Sequence, residues 1–435
     1  MLGLQLFVKN RYMKMIHWHS LKGAGFVLLM SFLLGCSKEE LLLDEIDESF
    51  GEQPVLDESI SPIIPHIYID IEGGAEVADK ENYLQARIRI EGMGLYPDLG
   101  LSEMLGTRIK GRGNSTWERP KKPYRLKLDK KAAVLGLPKE KDWVLLANYQ
   151  DYTLMTNAVA LKIARQLGMP FTNDIIPVDV TINGEYRGNY NLTQQVEVDK
   201  NRVDIGDQGI LWELDNHFDE APWQFKTKHL QLPLMLKDPD MDKQTFVKHK
   251  QEFQDFEDLL FREDFPENNY GDVFDKQQLV NFLIVANLTK NREICHPRSV
   301  FLYKSPAGKF TLGPVWDFDW AFGFDPDNAR YFSAVNDPVL ADEESREGTQ
   351  FWQRLLLDPE VQQLYLQTWE RYKAAHFEEL MQFIEAYAAR IRQSKQQDYA
   401  MWQVGVQDLG NSKAALKTFL RKRALFMDSS GLSAY

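Results

Sequence analysis

Two carboxylates stand two residues apart in Gly313-Pro314-Val315-Trp316-Asp317-Phe318-Asp319-Trp320-Ala321-Phe322-Gly323, an aromatic run. Burying two like charges is costly unless a cation or hydrogen-bond donors compensate. Carboxylate oxygens near a hairpin end suit Mg²⁺, which takes one or two carboxylates plus substrate phosphates. A capping or salt-bridged pair is the plainer alternative. A second constellation is Gly111-Arg112-Gly113-Asn114-Ser115-Thr116-Trp117. Its glycines allow close backbone approach, and turn amides with Ser115 and Thr116 can face phosphate oxygens. Lys122, Arg125 and Lys127 follow and could add cations. Here the alternative is a tight turn before a solvated basic strand.

These residues need elements to hold them. Ile67, Ile69 and Ile71 alternate with polar residues, as do Ala86, Ile88 and Ile90, which predicts two half-buried strands. A third strand has Tyr124, Leu126 and Leu128 on one side and Arg125 and Lys127 on the other. Helical spacing is expected over 151–167, with Gly168 as a stop. Val178, Val180 and Ile182 predict a strand that turns at Asn183-Gly184 into another. A second hairpin, over 301–312, leads into the Asp317 segment. Asp358-Pro359 starts a helix bearing Val361, Leu364, Thr368 and Tyr372, and a second helix carries Phe377, Leu380, Met381, Ile384, Tyr387 and Ile391. Charged residues 198–260, with Trp212-Glu213-Leu214-Asp215-Asn216 and Lys237-Asp238-Pro239-Asp240, are expected as a lid, a substrate groove or a solvated surface. The pattern is α+β.

Composition narrows the function. The chain has 435 residues, 51 Lys+Arg and 64 Asp+Glu, a formal charge of −13. That acidic excess argues against a nonspecific nucleic-acid binder. Two cysteines are too few for a disulfide scaffold. Before residue 36 come Lys9, Arg11, Lys14 and Lys22 and no acid, and residues 23–37 carry no charge, which predicts a signal peptide over 1–35. Leu33-Leu34-Gly35-Cys36 resembles a bacterial lipobox. That resemblance implies acylation at Cys36 and a membrane anchor in the cell envelope, most simply the outer membrane. Residues 36–65 hold nine acids against Lys38 and predict an acidic flexible tether. The serine and acids after Cys36 resemble the surface-export signal of Bacteroidetes lipoproteins. With Cys36 acylated no intramolecular disulfide is possible, and Cys295 is expected as a small core residue.

The strings GRGNSTWERPKKPYRLKL, LGLPKEKDWVLLANYQD, INGEYRGNYNL, SVFLYK and GPVWDFDWAFG, in this order, resemble the CotH family, named for a spore-coat protein kinase. The likeness covers roughly residues 66–430, with 66–110 expected as an N-terminal β segment and 111–430 as the kinase-like domain. It implies a divergent, two-lobed protein-kinase-like fold with a helical C-terminal part. It also implies transfer of the γ-phosphoryl group of ATP to Ser or Thr of a protein, with Mg²⁺ or Mn²⁺. Asp317 then matches the metal-binding Asp, Asp319 completes the pair, and Lys122 or Lys127 is the phosphate-binding lysine. Gly111, Arg112, Gly113, Asn114 and Ser115 would cover the nucleotide.

Three departures matter. Glu293 stands where the family places a catalytic Asp, and its extra methylene moves the carboxylate by about a bond length; shifts near ~1 Å cost orders of magnitude. The second-metal Asn has no clear equivalent, leaving Ser299 or Asn291. Gln194 replaces an acid found in many relatives. Two functions follow: an active kinase acting on an envelope or extracellular protein, or a catalytically degenerate scaffold binding protein or glycan.

Overall fold

Alternating isoleucines put one face of β1 (His66–Ile71) into an apolar interior, and six further strands do the same. They are β2 (Leu84–Glu91), β3 (Leu105–Gly111), β4 (Tyr124–Ala132), β5 (Glu140–Leu146), β6 (Ile175–Ile182) and β7 (Glu185–Gln194). In the computed structural model these close into a barrel in the order β1-β2-β3-β4-β5-β7-β6, sealed by parallel pairing of β1 with β6. Closure leaves no free sheet edge. Ile67, Ile69, Ile88, Ile90, Leu126, Trp143, Val178 and Val180 fill the interior. The barrel was not among the sequence expectations. It joins the strands of 66–110 to those that follow, and β3 ends on Gly111 itself.

The described residues are 52–217, 222–325, 327, 330–340 and 346–434. The expected signal peptide, Cys36 and the tether up to residue 51 lie outside them. Residues 52–65, the rest of that tether, run as an extended strap without helix or strand.

A second sheet, ordered β12-β11-β8-β10-β9, contains β8 (Ile210–Leu214), β9 (Gln224–Lys226), β10 (Pro233–Asp238), β11 (Val300–Lys304) and β12 (Thr311–Leu312). It shares one apolar core with the helices α1 (Thr156–Gln166), α2 (Lys243–Leu260), α3 (Tyr270–Val273), α4 (Lys276–Leu288), α5 (Glu347–Leu356), α6 (Pro359–Trp402) and α7 (Leu409–Ser430). The content is α+β. Among the described residues no helix is long and apolar enough to cross a membrane.

Two expectations need correction. The helix expected from residue 151 begins at Thr156, because the Asp151 carboxylate accepts the N–H groups of Thr153 and Thr156, each at 2.8 Å, and holds the preceding residues in a capping loop. The two C-terminal helices expected after Asp358 are one, α6, of 44 residues. Val361, Tyr372, Phe377, Leu380 and Ile391 are all buried along it, so the two apolar stripes are parts of one helix.

The strap is tied to the helices. Glu52 pairs with Lys417 at 2.9 Å and with Arg421. Lys413 Nζ donates to Val55 O at 2.9 Å, and Arg392 donates to Ile60 O at 2.5 Å. Ile64 then enters the helical core, and Pro65 O accepts the N–H of Asp179 in the barrel.

Candidate functional site

A cavity of about 560 Å³ lies where the end of β3, the start of β4, the second sheet and the Asp317 segment meet. Gly111, Arg112, Gly113, Asn114, Ser115 and Thr116 line it, as do Glu293, Asp317 and Asp319. Gly111 is fixed by close approach: a Cβ there would stand 2.3 Å from the Trp117 ring. Ser115–Glu118 form a short 3₁₀ turn, so the loop is ordered rather than open.

Asp317 sits in the left-handed region at φ 62°, an uncommon backbone for a residue with a Cβ. Asn157, in the first turn of α1, holds the segment there. Its carbonyl oxygen accepts the N–H of Phe318 at 2.9 Å, and its amide donates to Asp319 Oδ1 at 2.6 Å. Tyr331 OH donates to the Asp319 carbonyl, and Trp320 Nε1 donates to Gln150 at 3.1 Å. Sequence reasoning missed Asn157; an amide in a turn otherwise lined by Met155, Ala158 and Val159 was the available signal.

The electrostatics are those of crowded acids. Burial, then the charge of Asp317, pushes the Asp319 carboxyl up to about 7. Burial also raises Asp317, opposed by the Arg112 and Arg298 guanidiniums. Glu293 is raised well above the carboxylate range by burial and then by Asp317, with Arg298 acting against it. Both aspartates keep some surface facing the cavity although they lie deep beneath the molecular surface. Glu293 rides on the 3₁₀ turn Arg292–Ile294, whose amide is capped by Asn291 Oδ1 at 3.1 Å. Burial and mutual repulsion disfavour the charge on these carboxyls, and a divalent cation is the kind of group that would relieve both. Among the described residues no group of three or more His, Cys, Asp or Glu is gathered to hold a metal ion unaided.

Other residues named from sequence divide. Glu213, Asp215 and Lys237 do line the cavity, with Lys237 on Glu213 at 2.7 Å, and so does Ser299. Lys122 and Lys127 are absent from its lining. Lys122 turns back under the loop, donating to Trp117 O at 2.5 Å. Lys127 lies on the barrel's outer face, 3.6 Å from Asp142. The cations that do line the cavity include Lys110, Arg112, Arg125 and Arg298. Gln194 accepts the Asp174 N–H at 2.6 Å, and its neighbour Gln195 lines the cavity instead. Cys295 is buried, and its thiol donates to Val339 O at 3.4 Å.

The family described as CotH kinase protein matches residues 109–427. The chain belongs to that family. The match begins inside β3, so β1 and β2 precede it although they complete the same barrel. No curated protein matches the chain.

Proposed function

We propose that the cavity transfers the γ-phosphoryl group of ATP to a Ser or Thr hydroxyl of a protein, and that barrel and helical part act as the two lobes of a divergent kinase. The observation that carries this reading is the gathering of Glu293, Asp317 and Asp319 in one cavity with the 111–116 loop and several cations, Lys110, Arg112, Arg125 and Arg298 among them. Asp317 and Asp319 would hold Mg²⁺ or Mn²⁺, with phosphate and water oxygens completing the shell. That cation would supply charge neutralisation on the phosphates.

The chain's own residues do the rest. Arg112, Arg298, Lys110 and Arg125 bind the phosphate charges, and the 111–116 loop covers them. Glu293, in its carboxylate form, would take the acceptor proton, with the Arg298 guanidinium favouring that form against burial. The acceptor oxygen bonds to the γ-phosphorus as the bond to the bridging oxygen breaks, and ADP leaves.

Titration of the full chain with ATP plus Mg²⁺ or Mn²⁺ tests binding, and label transfer from γ-labelled ATP tests the reaction. Asp317→Ala is expected to abolish transfer; full transfer by that variant, or no nucleotide binding with either metal, overturns the proposal. Lipidation of Cys36 belongs to the same proposal and places the acceptor in the cell envelope. Mass spectrometry of membrane-extracted protein should find acyl chains on an N-terminal Cys36; an unmodified cysteine removes that placement.

A further inference from the structure

The outer face of β3 and β4 carries four cations in two rows. Arg108 stands opposite Lys127, and Lys110 opposite Arg125. Like charges directly opposite one another on a sheet destabilise it unless neighbours offset them. Lys110 and Arg125 line the cavity, and Arg108 and Lys127 form the next row outward along the same strands. Asp142 pairs with Arg125 at 2.9 Å and with Lys127 at 3.6 Å. Arg108 and Lys110 have no ion pair among the described residues; both lie over the Tyr83 ring, at 5.6 and 5.1 Å. The stripe is thus under-neutralised and partly exposed. It runs from solvent into the cavity.

We propose that this stripe is the docking track for the acceptor, and that the acceptor is an extended polypeptide with acidic side chains flanking the modified hydroxyl. The inference rests on the phosphotransfer reading for the word acceptor. Cations two residues apart on one strand repeat every ~6.8 Å, and alternate side chains of an extended peptide repeat at the same distance. An acidic peptide laid along the strands therefore meets a cation at each outward carboxylate. Single-stranded nucleic acid has similar charge but is held by stacking on open aromatic faces. Here the Tyr83 ring beside the stripe is covered by Arg108 and Lys110.

The test uses the full chain and a fluorescent peptide bearing Glu at alternate positions around one Ser, read by anisotropy. Arg108→Gln with Lys127→Gln, both outside the cavity lining, should weaken peptide binding roughly tenfold. ATP binding should stay at its wild-type value and unfolding should remain a single cooperative transition. Binding should weaken as salt rises, and the Gln-substituted peptide should bind poorly. Equal binding of the Glu and Gln peptides, or unchanged affinity in the double variant, overturns the track. Tighter binding of an oligonucleotide of equal charge overturns the choice of a polypeptide. Peptide binding without nucleotide binding would overturn the phosphotransfer reading and leave the track standing.

Discussion

At the scale of single residues, the site depends on one amide. Asn157 satisfies the buried N–H of Phe318 and one oxygen of Asp319 together, so it fixes both the turn and the carboxylate on it. Asn157→Ala leaves that N–H unpaired and removes a donor from a carboxyl already short of compensation. The expected cost is about 1–3 kcal/mol of stability, seen as a lower thermal midpoint, together with weaker Mg-ATP binding by titration. Unchanged values of both would show that the Asp317 turn holds itself. The carboxylate pair was legible in the sequence because acids among aromatics have few structural excuses. Asn157 was not, because an amide near a helix start is ordinary and its partners lie 161 and 162 residues away. Lys122 and Lys127 were chosen for charge and proximity along the chain. Lys127 shares the face of Arg125 but lies two residues farther along the strand, a row outside the cavity, and the loop turned Lys122 onto Trp117.

At the scale of elements, α6 is fastened to β7 by a buried polar cluster rather than by apolar packing alone. Lys121 Nζ donates to Asp398 Oδ1 and to Asn189 O, both at 2.5 Å, and Asp398 Oδ1 also accepts the Asn189 N–H at 2.9 Å. One turn away Ser394 donates to Asp179 at 2.6 Å and accepts from Asn189 at 3.0 Å. Breaking a buried pair from one side strands a charge, so Lys121→Met should cost about 3–5 kcal/mol. Lys121→Met with Asp398→Leu should unfold at a higher temperature than the single variant, since no lone carboxylate remains. If the double variant is the less stable of the two, the pair is a net stabiliser and the stranded-charge account fails. Sequence patterns gave β1, β2, β4, β6, β7 and the Asn183-Gly184 turn because each is a local alternation. They missed α4, whose residues 279–288 are all buried and so show no one-sided stripe. They split α6 because its buried positions step by five residues from Tyr372 to Phe377, which interrupts the i, i+3, i+4 spacing that marks one continuous stripe.

At the scale of the molecule, barrel closure was illegible because it rests on β1 meeting β6 across more than a hundred residues, which no local pattern encodes. Joining these parts also buries carboxyls, and that sets how stability follows pH. Burial, then the charge of Asp142, pushes Glu197 up to about 7, with Arg125 and Arg202 opposing. Its folded value therefore exceeds the unfolded one near ~4.5. Below ~4.5 both states hold the proton and Glu197 contributes nothing. Between ~4.5 and ~7 the folded state binds more proton than the unfolded, so stability falls as pH rises, by roughly 3 kcal/mol in full. Asp199 runs the other way: burial opposes it, but the Asn201 N–H, Glu140 and Lys131 bring it down to about 2. Glu379 is held at about 2 by Lys162, Gln166 and His376. These two add stability above their unfolded values and lose it as pH falls toward ~2. The thermal midpoint should therefore peak near pH ~5 and decline on both sides. Glu197→Gln should make the decline between pH ~5 and ~8 shallower without abolishing it, since Asp319 contributes to the same slope, while leaving the acid limb in place. Differential scanning calorimetry of both proteins over that range decides it: parallel curves above pH ~5 would mean that Glu197 ionises in the folded chain at an ordinary value and that the alkaline slope has another origin.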